Sequence, residues 1–322
     1  LYYLYGDDRV ARDRVMTDIH PNARAAASRR SPALSVLVPA HGEDPSALVD
    51  LLREEIVRRE LAARVEILVF DDGAQDPRVA ARLEAALAAA PLQGRLLASP
   101  APVGRGAARN RLAAAARGAW SLFLDPDTRP DPEGFLARWL DLIAAESPWI
   151  ALGGLPRPHF ARARHAPLER ALAPGVEPGL VLEPAASLLV HCDILAREPF
   201  DEAFMGRGWE DVEWAVRARR HAPVLIVDIP AARGVPADDE AARERCRSAA
   251  RNFARLVRRH PGFARALPAF RAAQLFAHTP GLARLRPLLA HAARRPGPMT
   301  PRGVRHLAAE LWRASWYGEA LR

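Results

Sequence analysis

Short apolar runs alternate with amphipathic stretches through the first two thirds of the chain, and the alternation predicts its elements. Residues 34–38 form a strand ending at Pro39, and Leu48, Leu51, Leu52 and Ile56 recur at helical spacing over 47–62. A second strand over 65–70 runs into Asp71-Asp72-Gly73, and a helix over 78–90 follows. A weaker strand at 95–98 precedes Gly104-Arg105-Gly106 and a helix over 107–117. Strand 120–124, helix 132–146 and a strand near 149–152 continue the series. Residues 153–184 are rich in Gly, Pro, Arg and His without a period, which is long for an inert connection and predicts a substrate loop. A strand at 185–191, a turn at 206–211, a helix to about His221 and a strand at 224–229 come next. This alternation predicts an α/β fold whose central sheet is mostly parallel and covered by helices.

Beyond Pro236 the pattern becomes helical and basic. Cys246, Ala250, Phe253 and Val257 share one face of a helix that His260-Pro261-Gly262 stops. Further amphipathic pieces lead to Trp312, Trp316 and Tyr317. The expected organisation is an arm over 1–32, an α/β domain over 33–235 and a basic helical extension over 236–322.

With 322 residues, 49% of them hydrophobic, the chain buries a full core, which excludes a disordered protein. No apolar run approaches the roughly 18–20 residues of a membrane span. No stretch after Leu1 has the charged-then-apolar order of a signal peptide, although residues upstream of Leu1 are left open. Cys192 and Cys246 are too few for a disulfide framework or a thiolate metal site, so a reducing cytoplasm is the expected compartment. All 46 basic residues are arginine, which coding bias explains. Their distribution says more. Residues 241–322 hold 17 arginines against Glu244, Glu310 and Glu319, a net +14, whereas the remainder holds 29 against 35 acids, a net −6. An acidic body with a basic tail predicts that 241–322 meets an anionic partner. Nucleic acid is not expected, because the body is acidic and no binding motif is present.

Three acidic sites fall at strand ends or in a turn after one: Asp71-Asp72-Gly73, Asp125-Pro126-Asp127 and Glu210-Asp211. The carboxyl edge of an open α/β sheet is where such folds place ligands. Neighbouring carboxylates repel unless a cation or a donor network neutralises them, and their oxygens suit hard ions such as Mg²⁺ or Mn²⁺. Each piece alone reads as turn or helix-start chemistry.

The ordered set resembles the inverting family 2 glycosyltransferases of the GT-A fold. The matching residues are Ser35-Val36-Leu37-Val38-Pro39, Val69-Phe70-Asp71-Asp72-Gly73-Ala74, Gly104-Arg105-Gly106-Ala107-Ala108-Arg109-Asn110, Leu122-Phe123-Leu124-Asp125-Pro126-Asp127, and the stretch from Phe200 to Glu213 through Gly206-Arg207-Gly208-Trp209-Glu210-Asp211. The resemblance implies a nucleotide-diphosphate sugar as donor and a glycan or lipid-linked acceptor, as in polysaccharide biosynthesis at the cell envelope. It implies that Asp71 or Asp72 binds the nucleotide base, with Pro39, His41 and Glu43 lining that pocket and Arg109 near base and diphosphate. It further implies that Asp125 faces ribose and metal, that Asp127 ligates a divalent metal (Mn²⁺ or Mg²⁺), and that Asp211 is the general base. Glu210 stands beside that base, and Trp209 with Gly208 meets the acceptor sugar.

One departure stands out. Relatives often carry a metal-binding histidine after the strand that follows the Glu-Asp helix, and here 228–236 contains none. Arg233 is expected to offer a fixed charge to the diphosphate instead. Two rival readings stay open. Asp125-Pro126-Asp127-Thr128 also resembles the haloacid dehalogenase phosphatase pattern with Asp125 as nucleophile, although that motif usually opens a chain and works with a lysine. A non-catalytic scaffold that binds sugar nucleotide is the other. For the tail, arginine-rich helices with terminal tryptophans predict a peripheral site on an anionic membrane surface, at the cytoplasmic face. A solvated helical cap is the plainer alternative.

Overall fold

The computed structural model describes residues 18–22, 25, 31–73, 76–154, 187–206, 208–233, 239–294 and 302–322. Two units divide the chain. One comprises Leu1–Pro156, Ala185–Pro199 and Val227–Gly234, and the other Arg157–Pro184, Phe200–Ile226 and Val235–Arg322.

In the first unit the elements are β1 (Asp18–Pro21), β2 (Leu34–Ala40), α1 (Ser46–Arg58), β3 (Val65–Asp72), α2 (Pro77–Ala88), β4 (Gly94–Ser99), α3 (Arg105–Ala115), β5 (Trp120–Leu124), β6 (Thr128–Pro130), α4 (Phe135–Glu146), β7 (Ile150–Gly153), β8 (Ser187–His191), α5 (Cys192–Arg197) and β9 (Ala231–Arg233). Seven of these strands are hydrogen-bonded neighbours in the order β1-β4-β3-β2-β5-β8-β7. The central pairs β4-β3, β3-β2 and β2-β5 are parallel, while β1 is antiparallel to β4 and β8 to both β5 and β7. Five strands therefore point one way, as the alternation predicts. Every residue of β2 and β3 is buried, the mark of parallel strands covered on both faces. Leu48, Leu52 and Ile56 of α1, Leu112 of α3, and Trp139 and Leu140 of α4 join that core.

One charge lies inside the sheet. Glu66 is fully buried in β3 and accepts from Ser35 Oγ (2.6 Å), Arg95 Nη2 (2.8 Å), the Arg117 backbone N–H (2.7 Å) and Arg117 Nε (3.0 Å). A buried carboxylate survives only with such donors. Arg117 Nη1 also donates to the Ala25 carbonyl at 3.0 Å, which ties part of the N-terminal segment to the amino end of the sheet.

The differences from the pattern have local causes. β3 continues through Asp71 and Asp72 because both pair with β4, opposite Ala98 and Ser99. The helix expected over 47–62 stops at Arg58, and Glu60 takes a left-handed φ of 56° just beyond it. β1 and the β6–β9 ladder have no apolar run to announce them and exist through pairing alone. The expected loop over 153–184 lies almost entirely outside the described residues.

The second unit contains α6 (Glu210–Ala218), a short strand (Val224–Ile226), α7 (Asp239–Arg259), α8 (Pro261–Ala266), α9 (Pro268–His278), a 3-10 turn (Pro280–Leu285), α10 (Arg286–Arg294) and α11 (Arg302–Ala320). Its core joins Phe204, Ala250, Phe253, Leu256, Leu267, Ala273 and Tyr317, with Trp209, Val257, Phe263 and Trp316 packed around them. This differs from the expected boundary at 235. Phe204 and Trp209, from the stretch before α6, share one core with α7 and α11, so 200–226 and the C-terminal helices form one unit. Trp316 lies against the guanidinium groups of Arg286 (4.0 Å) and Arg247 (5.3 Å). That tryptophan is engaged within the unit and does not project as a membrane anchor. Among the described residues, no helix is long and apolar enough to cross a membrane.

Burial pushes the Tyr317 hydroxyl up to about 12 and the Cys246 thiol up to about 11, from ordinary values of 10.0 and 9.0. Both groups stay protonated in the folded state while the unfolded chain ionises. Their stabilising contributions are therefore complete below about pH 9 and are lost as pH rises through about 11 and 12. The melting temperature should fall progressively from pH 9 upwards, and Cys246→Ala should flatten the part of that fall below pH 11. An unchanged profile in the variant would refute the assignment.

Candidate active site

The parallel register places the carboxyl ends of β3, β2 and β5 side by side. Asp71 ends up opposite Ala40 across β2–β3, and Asp125 follows β5 on the other side of β2. Four predicted carboxylates thus reach one sheet edge: Asp71, Asp72, Asp125 and Asp127.

Their surroundings differ. Asp71 lines a recess with Ala40, Gly42, Glu43, Pro45, Asp76, Val79 and Leu83. Pro39 lies within β2, buried opposite Phe70. Asp72 instead organises the chain entering α3, since its carboxylate accepts from the backbone N–H groups of Val103 (2.5 Å) and Gly104 (3.0 Å). His41, more than half exposed, approaches it with Nδ1 3.0 Å from the Asp72 carbonyl and 3.7 Å from its carboxylate. Of the two candidates for the base, Asp71 is the one that faces the recess.

Asp125 is 4% exposed and bonded to Arg105 from the first turn of α3, with Arg109 one turn further at 3.8 Å. Spacing of four residues puts both guanidinium groups on one helix face. Arg105 and Arg109 are themselves buried, so this is a desolvated cluster of two cations around one carboxylate. Arg109 was expected here; Arg105 stood in the quoted motif without a role. Its signal was present in the sequence as the residue four before Arg109. Arg111 lies 5.7 Å over the Phe70 ring, which packs α3 against β3.

Asp127 is half-buried, and next to it Thr128 is buried with its hydroxyl finding no hydrogen-bond partner among the described residues. Carboxylate and hydroxyl oxygens at an edge where acids outnumber guanidinium groups are a donor set that fits a hard divalent ion. Asp125 is held by two arginines, and Asp127 is the more exposed carboxylate of the pair. Across the β6–β9 ladder, Arg233 is paired with Thr128, which sets its backbone beside this corner; its side chain lies outside the described residues. Among the described residues, one group of three potential metal ligands occurs elsewhere, His191-Cys192-Asp193. His191 there accepts the Asp193 N–H as a cap of the short α5.

In the second unit Glu210 and Asp211 open α6, where acids suit the helix dipole. Glu210 is buried and Asp211 half-buried, with Asp211 Oδ1 accepting its neighbour's N–H from Val212 at 2.9 Å. Gly208 and Trp209 immediately precede them. The Trp209 ring is half-buried, 4.9 Å from Phe253 and 5.8 Å from Tyr317, so its indole is packed into this unit's core.

Residues 35–179, a little under half of the chain, match the model of Glycosyl transferase family 2, and this stretch supports a glycosyltransferase. A mannosyltransferase from Pyrobaculum calidifontis, solved with GDP-Man and Mn²⁺, is similar over 95% of this chain and 91% of its own, with a TM-score of 0.59 and 17% identity. Glucosyl-3-phosphoglycerate synthase from Mycobacterium tuberculosis, solved with Mn²⁺, UDP and glucosyl-3-phosphoglycerate, is similar over 73% of this chain and 82% of its own, with a TM-score of 0.50 and 22% identity. These likenesses concern the fold, which is GT-A. No curated protein matches the chain significantly.

The buried cluster makes a stability prediction. Asp125→Asn removes the carboxylate charge that faces the two buried guanidinium groups and should cost about 3–5 kcal/mol in urea unfolding. Arg105→Ala leaves Asp125 with Arg109 and should cost clearly less. Equal, small losses for both would mean that the cluster is solvated.

Proposed function

We propose that the protein is an inverting family 2 hexosyltransferase that moves a sugar from a nucleotide-diphosphate sugar to a hydroxyl of a glycan or lipid-linked acceptor. The observation that carries the reading is the convergence of Asp71, Asp125, Asp127, Arg105 and Arg109 on one sheet edge. Asp71 and Glu43 take the nucleotide base in the recess, with Pro39 and His41 at its border and Asp72 holding the adjoining loop. Arg105 and Arg109, fixed by Asp125, and Arg233 supply positive charge for the diphosphate. Asp127, with Asp125 behind it, would hold a divalent ion, Mn²⁺ or Mg²⁺, which when bound lowers the cost of charge on the departing diphosphate. Structures of similar fold were solved with UDP or GDP-Man and Mn²⁺, which supports this donor class and cofactor.

Asp211 takes the proton of the acceptor hydroxyl as its oxygen attacks the anomeric carbon opposite the leaving group, which inverts that centre. Glu210 orients beside it. Gly208 and Trp209 form the turn that presents both acids, and the inward packing of the Trp209 ring leaves its backbone, not its indole face, for the acceptor side. The phosphatase reading is disfavoured because a nucleophilic Asp125 would have to attack from a buried bond to two arginines.

A thermal-shift panel of UDP, GDP, CDP and dTDP with Mn²⁺, Mg²⁺ or EDTA tests the donor site, since ligands of the native state raise its apparent stability. Metal-dependent stabilisation by one diphosphate is expected in the wild type and in Asp211→Asn. Asp127→Asn should weaken it by at least about tenfold in apparent affinity, the scale of one well-made charged contact. No shift with any diphosphate would overturn the donor site, and a scaffold would show full binding with no effect of Asp211→Asn on turnover.

Peripheral attachment to an anionic membrane belongs to the same reading. Exposed Leu275, Leu285, Leu288, Val304 and Leu307 lie on the arginine-rich C-terminal helices and support it in place of the tryptophans. Truncating 241–322 would remove part of the second unit's core, so surface changes are the cleaner probe. Leu285→Ser with Leu288→Ser should lower co-sedimentation with phosphatidylglycerol vesicles several-fold without changing the melting temperature. Unchanged sedimentation would reject this surface.

A further inference from the structure

The turn that delivers Glu210 and Asp211 has a backbone that does not hold itself. Gly206, Gly208 and Trp209 all have left-handed φ, at 73°, 100° and 71°. For a bulky non-glycine residue such as Trp209 this conformation is strained and persists only where surroundings fix it.

Helix α7 supplies those surroundings. Asn252, 3% exposed, donates from Nδ2 to the Gly208 carbonyl at 2.8 Å. The Trp209 ring packs on Phe253 and meets the Tyr317 ring of α11 edge-on. The approach is close enough that a Cβ at Gly206 would come within 2.1 Å of Ser248 Oγ, and one at Gly208 within 3.0 Å of the Ala249 Cβ. Ser248, Ala249, Asn252 and Phe253 are neighbours on one face of α7 by their helical spacing.

A second anchor grips α6 one turn later. Glu213 is fully buried and accepts from Arg217 (2.9 Å), with Arg259 Nε at 3.2 Å and His260 Nε2 at 3.0 Å. Arg259 also binds Asp201 at 2.6 Å. The first turn of α6, which carries both acids, is therefore pinned before and behind by one long helix of the C-terminal region.

We propose that Asn252 is a positioning residue for the general base: by holding the Gly208 carbonyl it fixes the strained turn that aims Asp211 at the acceptor oxygen. The inference rests on Asp211 being that base. A general base acts only within hydrogen-bond reach of its proton, so a small displacement of the turn costs turnover far more than binding. The sequence motif thus needs α7 to work, and the basic C-terminal region is part of the catalytic apparatus as well as of the fold.

The test compares wild type, Asn252→Leu, Asn252→Gln and Asp211→Asn in the full chain with Mn²⁺. Turnover of UDP-glucose and GDP-mannose with water as acceptor is measured beside diphosphate affinity and amide exchange over 208–213. Leucine removes the N–H donor at similar volume, and glutamine keeps a donor. For Asn252→Leu we expect kcat to fall at least about tenfold with KM for the donor within about twofold, the pattern of an interaction made only in the transition state. Exchange over 208–213 should rise, UDP or GDP affinity should hold, and Asn252→Gln should recover part of kcat. A purely structural contact would instead lower the melting temperature and scale all parameters together. Wild-type exchange over 208–213 in Asn252→Leu would overturn the proposal whatever the activity, as would wild-type kcat there when Asp211→Asn is inactive. Full turnover in Asp211→Asn would instead overturn the reading of Asp211 as base, an outcome distinct from loss of the clamp.

Discussion

A carboxylate taken out of water at the end of a parallel strand must be answered by positive charge, and the carboxyl edge of this sheet is arranged around that requirement. Asp125 follows the apolar strand β5 into the interior, where its charge would be prohibitively unfavourable alone. Arg105 and Arg109, one helical turn apart at the start of α3, meet it. Their presence constrains what surrounds them. α3 has to begin where it does, and Asp72 secures that beginning by taking the Val103 and Gly104 N–H groups. On the proposed reading the two arginines are pre-positioned cations that need no reorganisation when a diphosphate arrives, the condition for effective electrostatic stabilisation. Asp127 is the less buried of the two carboxylates, and on the proposed reading it is the oxygen donor for a metal.

The same logic of buried charge recurs at two other places, each with a structural consequence. Glu66 joins β3 to Ser35 of β2, Arg95 of β4 and Arg117 after α3, at the amino end of the sheet, away from the site. Glu213 draws Arg217, Arg259 and His260 together in the second unit. In both cases the donors that satisfy a buried carboxylate come from several elements, so the charge ties those elements together. The net +14 of residues 241–322 is thereby partly structural: some of those arginines answer acids of the preceding segment, and others clasp Trp316.

Much of this was legible in the amino-acid order. Periodicity located β2, β3, β5, α4 and α6, and the strand ends pointed to Asp71, Asp125, Asp127, Glu210 and Asp211, because hydrophobic runs that stop at acids are a local property. What escaped was whatever depends on a partner distant in sequence. The strand β1 and the β6–β9 ladder have too few apolar residues to register. Trp209 suggested a sugar platform because a tryptophan beside two acids looks available, yet its ring is claimed by Phe253 and Tyr317, which lie 44 and 108 positions further along the sequence. The membership of 200–226 in the C-terminal unit escaped for the same reason: Phe204 and Trp209 belong with helices that follow much later.

The sequence by itself determined the α/β class, the family resemblance, and the kinds of atoms available at each strand end, because these are carried by spacing and side-chain chemistry over a few residues. Only the tertiary structure decided which of those atoms are already committed. Asp72 is bound to a loop, Asp125 to two arginines and Trp209 to a core. Commitment of this sort is a matter of which distant donors pack within 3 Å, and packing is fixed by the whole fold at once, not by any stretch of the chain.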